Sequence, residues 1–151
     1  MLAGMSTFTT AEIAFLDGQP LARLATVGAD GRPQVKPVGF LLDPDTDELV
    51  IGGYAGSGMA ASKKFRDVVA NANVALVVDD VAEVEPWTPR GVEVRGRAEA
   101  RTAGGADVGK RLGAAFDFDP AWILVRPRRI VSWGIDGSSY AVSARDAGRV
   151  G

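Results

Sequence analysis

The 151-residue chain has no cysteine and no histidine. The first absence excludes a disulfide framework, a thiolate nucleophile, an iron–sulfur cluster and a cysteine-rich zinc site. The second excludes a histidine-containing triad, imidazole zinc ligation, a proximal-histidine haem site and any side chain whose unperturbed pKa lies near neutrality. Chemistry in such a chain falls to oxygen, amine and guanidinium groups or to a bound cofactor. Lysine is scarce as well, with four residues against 13 arginines. Long apolar runs are missing: nothing approaches the roughly 20 residues of a membrane span, and the opening MLAGMSTF lacks both the basic start and the apolar core of a secretion signal. These features imply a cytoplasmic protein with no membrane partner, and leave either Met1 or Met5 as the native start. A net charge of −2 and a pI near 5.1 argue against a nucleic-acid partner while leaving room for a local basic pocket.

What remains is the material of one globular domain, 46% hydrophobic and 24% charged. A chain of this length buries roughly two thirds of its unfolded surface. Thr9 and Glu12 have the spacing of a capping box ahead of Ile13, Phe15 and Leu16, which predicts a short helix ending at Gly18. LARLATV (21–27) and QVKPVGFLL (34–42) flank an Asp30-Gly31 turn signal and predict a β-hairpin. The polar turn DPDTDE then leads into LVIGG, so the first fifty residues read as a three-stranded meander, irregular near Pro37 because proline removes a ladder donor. The segment 57–73 carries Met59, Phe65, Val68 and Val69 near helical spacing and predicts a helix of about three turns. VALVVDD (74–80) reads as a buried strand, and GVEVRGRAEAR (91–101) alternates without a fault. A second short helix, weakened by Gly109 and Gly113, is expected over 105–116, and WILVRPRRIVSWG (122–134) reads as one or two strands interrupted at Pro127. The organisation is a leader (1–8), a domain (9–137) and a small, polar tail (138–151). About six short strands with a few helices describe a mainly β, α+β barrel rather than an alternating βαβ fold.

No GxGxxG, Walker A, GxSxG or HExxH pattern occurs, and the acidic residues fall in turns or on the exposed strand face, so no catalytic residue and no metal ligand is assigned. The positive signal is lysine placement. Lys63 and Lys64 lie near a helix start, where the dipole favours an anion and opposes lysine. Either a bound phosphate reverses that field, with Ser62 and Arg66 helping, or the lysines belong to a solvated helix face. On the second strand Gln34, Lys36, Val38 and Phe40 share one face, which either lines the mouth of an apolar pocket or frays at an edge. Trp87, between two prolines, is either a stacking surface or a plug over the barrel end. Trp133 belongs to the core or a subunit contact, and the apolar Trp122, Ile123, Ile130 and Trp133 give a surface for a homodimer to cover.

In order, RLATV, DGRPQVKPVGF, ASKKFRDVVANANVALVVDD, PWTPRGVEVRGRAEA and RPRRIVSWG resemble the pyridoxamine 5′-phosphate oxidase-like split-barrel family, and more closely its branch that uses the deazaflavin coenzyme F-420. The resemblance implies a six-stranded antiparallel Greek-key split barrel, a two-fold homodimer with the cofactor between subunits, and hydride transfer to a small organic acceptor. It matches Lys64 to the family's phosphate anchor, with Ser62 and Lys63 beside it; Gln34, Lys36 and Pro37 to the wall along the ring; and Thr26 and Trp87 to positions near the cofactor. Lys36 stands where many relatives have a small polar residue, and Ser62 where some carry arginine. FMN is the alternative cofactor, and a non-catalytic carrier the alternative class. Haem-binding relatives exist, but the missing histidine sets this chain apart from them. A proton needed at the substrate would come from Tyr54 or solvent.

Overall fold

The computed structural model describes residues 6–137 and 140–148, which form three short α-helices and eight antiparallel β-strands. β1 (Leu21–Val27) and β2 (Pro33–Gly39) make the expected hairpin, with Leu21 opposite Gly39, Val27 opposite Pro33, and Gly31 at φ 78° in the turn. The irregularity expected at Pro37 is absent. β2 is the outermost strand and pairs only with β1, so its two prolines remove donors that no second neighbour needs.

The expected meander forms, but with its second strand broken in two. Phe40 alone separates β2 from the two-residue β3 (Leu41–Leu42), and β3 pairs with β4 (Leu49–Tyr54) at the far end of the sheet, whose order is β2-β1-β5-β6-β7-β4-β3. A single residue thus joins the two ends of the path, so the sheet curls into a half-barrel whose edges approach each other. β5 (Asn73–Val81), β6 (Pro89–Arg101) and β7 (Phe118–Trp133) form its middle. β7 runs unbroken through Pro127: Arg95 faces Arg129 and Gly96 faces Pro127, so the proline sits beside a bulge rather than ending the strand. β8 (Val142–Asp146), from the stretch beyond Gly137, pairs with β7. The six strands expected are therefore eight, because β3 is too short to show a period and β8 is too polar to read as a strand.

Alternation along β6 holds as read, with Val92, Val94 and Ala98 buried and Arg95 and Arg97 exposed. Its inward face joins Leu24, Leu49, Ile51, Leu76, Ile123 and Ile130 in the main core. Trp122, Ile123 and Ile130 are buried within one copy, and the Trp133 ring lies so close over Gly91 that a Cβ there would come within 2.3 Å of it. Trp122, Ile123 and Ile130, read as a surface for a partner, therefore serve the protomer's own packing, while Trp133 remains half-buried.

α1 (Thr10–Asp17) opens with the predicted capping box: Thr9 Oγ1 accepts from Glu12 N at 3.1 Å and Thr9 N donates to Glu12 Oε1 at 2.9 Å. Glu12 is 1% exposed, and Arg145 of β8 donates to Glu12 Oε2 at 3.0 Å and to Thr7 O at 2.7 Å, tying the two ends of the chain together. α3 (Gly105–Leu112) is shorter than expected because Gly113, at φ 74°, caps it. Gly109 lets this helix close on Phe118, whose ring would lie 2.9 Å from a Cβ at that position. No helix among the described residues is long and apolar enough to cross a membrane.

Candidate anion and cofactor site

The single helix expected over 57–73 is two elements. A 3₁₀ turn (Met59–Ala61) leads to Ser62, and α2 (Lys63–Ala70) begins there. Ser62 is the N-cap: its Oγ accepts from Phe65 N at 3.4 Å and donates to Met59 O at 2.7 Å. That hydroxyl is committed to the backbone, while Lys63 and Lys64 occupy the first two helical positions, where N–H groups lack intrahelical acceptors. The sequence-level conflict of lysine at a positive helix end is thus real, and each lysine resolves it differently.

Lys63 is neutralised internally. Its Nζ donates to Asp67 Oδ1 at 3.0 Å, four residues on, and Thr26 Oγ1 donates to Asp67 Oδ2 at 2.8 Å. Thr26 and Asp67 are both buried. Burial pushes the Asp67 carboxyl up, but the Lys63 and Thr26 hydrogen bonds and the charge of Lys63 outweigh it and hold the group below the usual carboxylate range. Asp67 was not singled out from the sequence, although the i, i+4 spacing to Lys63 was there to be read.

Lys64 is different. It is half-buried and, like Lys36, has no hydrogen-bond or ion-pair partner among the described residues. Burial pushes its ammonium below the usual lysine range, and the neighbouring Lys36 charge pushes it further. Lys36 reaches that neighbourhood because it sits on β2 opposite Leu24 of β1, two positions from the Gln34–Thr26 pair, and cross-strand partners share a face. The structure therefore brings Thr26, Gln34, Lys36, Lys63 and Lys64 to one end of the β1–β2 hairpin beside the start of α2. Pro37 is exposed on the opposite face of β2. Two unpaired ammonium groups beside free helix N–H groups suit a phosphate or a carboxylate.

Trp87 lies elsewhere. It is 66% exposed, so it plugs nothing in one copy, and it sits in the β5–β6 turn beyond the Val81–Pro89 pair. Ala25 is level with Ala75 near the other end of β5, so at about 3.3 Å per residue Trp87 stands roughly 20 Å or more from the Thr26 level. Glycines 56 and 58 have φ of 79° and 75°, consistent with the loop role read for that glycine-dense stretch.

A cleft of about 350 Å³ opens at the other end of β2, lined by Gly39, Phe40, Leu41 and Leu42, the end of α1, Gly52, and the stretch from Leu112 to Phe116 with Phe118. Of the β2 face expected to line a pocket mouth, Phe40 reaches this cleft, Val38 enters the main core, and Gln34 and Lys36 do neither. The Tyr54 ring stacks on Phe116 at 4.2 Å between centroids. Phe116 and Phe118 carry no sequence signal, because they sit in a loop and at a strand start without periodicity. No group of residues suited to a metal ion occurs among the described residues.

This arrangement has relatives. A dehydrotetracycline/dehydrooxytetracycline reductase of Streptomyces rimosus is 43% identical over 140 residues, 92% of each chain. A solved F-420 reductase is 26% identical with a TM-score of 0.55, covering 78% of this chain and 93% of its own. HupZ of group A Streptococcus shares the fold at 18% identity and a TM-score of 0.65, over 89% of this chain and 98% of its own. The sequence profile of the pyridoxamine 5′-phosphate oxidase family matches residues 8–134. With this match over most of the domain, the chain belongs to the pyridoxamine 5′-phosphate oxidase family.

Proposed function

We propose that the protein is an oxidoreductase that uses the deazaflavin coenzyme F-420 to reduce an electron-poor carbon–carbon double bond in a polycyclic ketone, acting as a two-fold homodimer in the cytoplasm. The observation that carries this reading is the unpaired Lys36–Lys64 pair at the start of α2. A half-buried ammonium without a counter-ion is unfavourable unless a ligand supplies one. Coenzyme F-420 carries a phosphodiester and a chain of carboxylates, so it offers this pair more anion than the single phosphate of FMN. The 43% identity to a reductase of dehydrotetracyclines supports the acceptor class, and the likeness to an F-420 reductase supports the coenzyme.

In this reading Lys64 and Lys36 hold the anionic portion, α2 adds backbone N–H groups, and β2 with Gln34 forms a wall for the ring. When bound, the coenzyme supplies a hydride for the electrophilic carbon of the double bond, while the other carbon takes a proton from Tyr54 or solvent; the bond becomes single and the coenzyme oxidised. By strand register Trp87 stands roughly 20 Å or more from the Thr26 level of this site in one copy. Two-fold pairing, with Trp87 supplied by a second copy, would complete the site.

Titration of coenzyme F-420 and FMN against wild type, Lys64→Ala and Lys110→Ala tests the reading. Wild type should prefer the deazaflavin, Lys64→Ala should weaken it, and Lys110→Ala, on α3, should leave it unchanged. Tighter FMN binding would move the assignment to the flavin. Tight deazaflavin binding with no turnover of any enone would make the protein a carrier.

A further inference from the structure

We infer that the cleft between α1 and α3 is the acceptor's binding site, shaped for a flat, largely apolar polycyclic molecule that bears an ammonium group at one edge. The inference rests on the reductase reading above and places its substrate.

Three observations carry it. The first is the wall. Phe40, Leu41, Leu42, Leu112 and Phe116 present apolar surface, and Phe118 is held rigidly behind them: a Cβ at Gly52 would come within 2.4 Å of its ring, and one at Gly109 within 2.9 Å. Glycine at these two positions lets β4 and α3 close on the ring and fixes it. A volume of about 350 Å³ is within the range of small-molecule sites. Two lining glycines leave space unfilled: around Gly39 and Gly113 a Cβ would meet nothing within 4 Å.

The second observation is charge. Asp17 lines the cleft as the last residue of α1, where a carboxylate opposes the helix dipole. It has no hydrogen-bond or ion-pair partner among the described residues. Gln19, the neighbouring polar group, already donates to Asp80 at 2.8 Å. The cleft therefore has apolar walls and, at its rim, one exposed carboxylate without a protein partner among the described residues, the complement of an apolar ring system carrying a cation.

The third is continuity. The anion site and the cleft lie at opposite ends of β2, and Phe40, which follows β2 and shares the parity of Gln34 and Lys36, lines the cleft. The Tyr54–Phe116 stack stands at its edge, which places the phenol read from the sequence as a proton donor beside the acceptor.

The test uses anhydrotetracycline, which is fluorescent and bears a dimethylammonium group, and its 4-dedimethylamino analogue. Both are titrated into wild type, Gly39→Leu, Phe116→Ala, Asp17→Asn and Lys64→Ala. Gly39→Leu fills open space on an edge strand without a backbone conflict. It should weaken both probes tenfold or more while coenzyme affinity, unfolding midpoint and oligomeric state stay at wild-type values. Phe116→Ala should weaken both probes in the same sense. Asp17→Asn should weaken the amine-bearing probe several-fold more than its analogue, and Lys64→Ala should change neither. Undiminished binding to Gly39→Leu and Phe116→Ala would overturn the inference, and if wild type still turned over enones with the coenzyme, the reductase reading would stand without it. Conversion of the dimer to monomers by Gly39→Leu would show that a second copy covers the cleft, and would also overturn it. Failure of wild type to bind coenzyme F-420 would instead remove the reading on which the inference rests.

Discussion

The molecule treats charge in two ways. At the junction of α1 and β8, the buried Glu12 has its capping-box partner Thr9 and the guanidinium of Arg145, and Asp67, Asp80 and Asp43 are matched in the same manner by Lys63, Arg90 and Arg111. At the start of α2, the half-buried Lys64 lies within electrostatic reach of the exposed Lys36 on β2, and neither has a hydrogen-bond or ion-pair partner among the described residues. A chain that pairs Glu12, Asp43 and Asp67 with cations, yet leaves a half-buried ammonium repelled by another, treats the two regions differently. The first region holds the fold together; in the proposed reading the second is a binding field for an anion.

The largest expected effect lies in the closed region. Arg145→Ala leaves Glu12 buried without its countercharge and should destabilise by about 3 kcal/mol, read by urea unfolding. The pH dependence has a defined sign. Burial raises the Glu12 carboxyl, but hydrogen bonds from Arg145, Thr9 and Ser132 hold it below the usual range, as Lys63 and Thr26 hold Asp67. In the unfolded chain these groups protonate near pH 4, so the stability they contribute is complete above about that value and is lost as pH falls through their lower folded values. A protein whose unfolding midpoint did not move between pH 5 and pH 2 would contradict this.

The open region should show binding effects instead. A charged hydrogen bond contributes about 1.5–3 kcal/mol, so Lys64→Ala should weaken coenzyme F-420 tenfold or more by isothermal titration, with an affinity that falls as salt is added. Asp67→Asn crosses the two regions. It should lower stability by about 1 kcal/mol while releasing the Lys63 charge, so that anion affinity holds or rises. A fall in affinity would mean that Asp67 orders the anion site rather than neutralising one of its lysines.

Much of this contrast is visible in the sequence, and the parts that are not have identifiable causes. The capping box at Thr9 and Glu12, the Asp30-Gly31 hairpin and the alternation of 91–101 are local patterns, and each becomes the element it predicts. Long-range pairing is not local. Nothing in QVKPVGFLL says that Phe40 carries the chain to the opposite edge of the sheet, and nothing in VSARD says that Arg145 will find Glu12, 133 residues away. The lysine conflict at 63–64 was legible as a conflict. Which lysine stays unpaired depends on Asp67, and the depression of Lys64 depends first on its burial and then on a strand register that brings Lys36 near. The cleft was only partly legible, through Phe40, because its other aromatic wall comes from the irregular stretch after α3.

The smallest effect has an unusual direction. Because burial and Lys36 lower the Lys64 ammonium, Lys64 opposes folding at neutral pH, and that penalty is relieved as pH rises from its folded value towards about 10.4, where the unfolded chain loses the same proton. Lys64→Met should therefore stabilise the ligand-free protein slightly, by about 0.5 kcal/mol, while impairing anion binding. Destabilisation would mean that the Lys64 charge is compensated in the ligand-free protein.

The central claim is that Lys36 and Lys64 together form an anion site. A double-mutant cycle tests it most directly: coenzyme F-420 is titrated calorimetrically into wild type, Lys36→Ala, Lys64→Ala and the double variant at low salt. Two lysines on one anion should each weaken binding, with a non-additive combined loss and a coupling of at least about 0.5 kcal/mol. A double variant that binds the coenzyme as tightly as wild type would place the anion elsewhere and contradict the account.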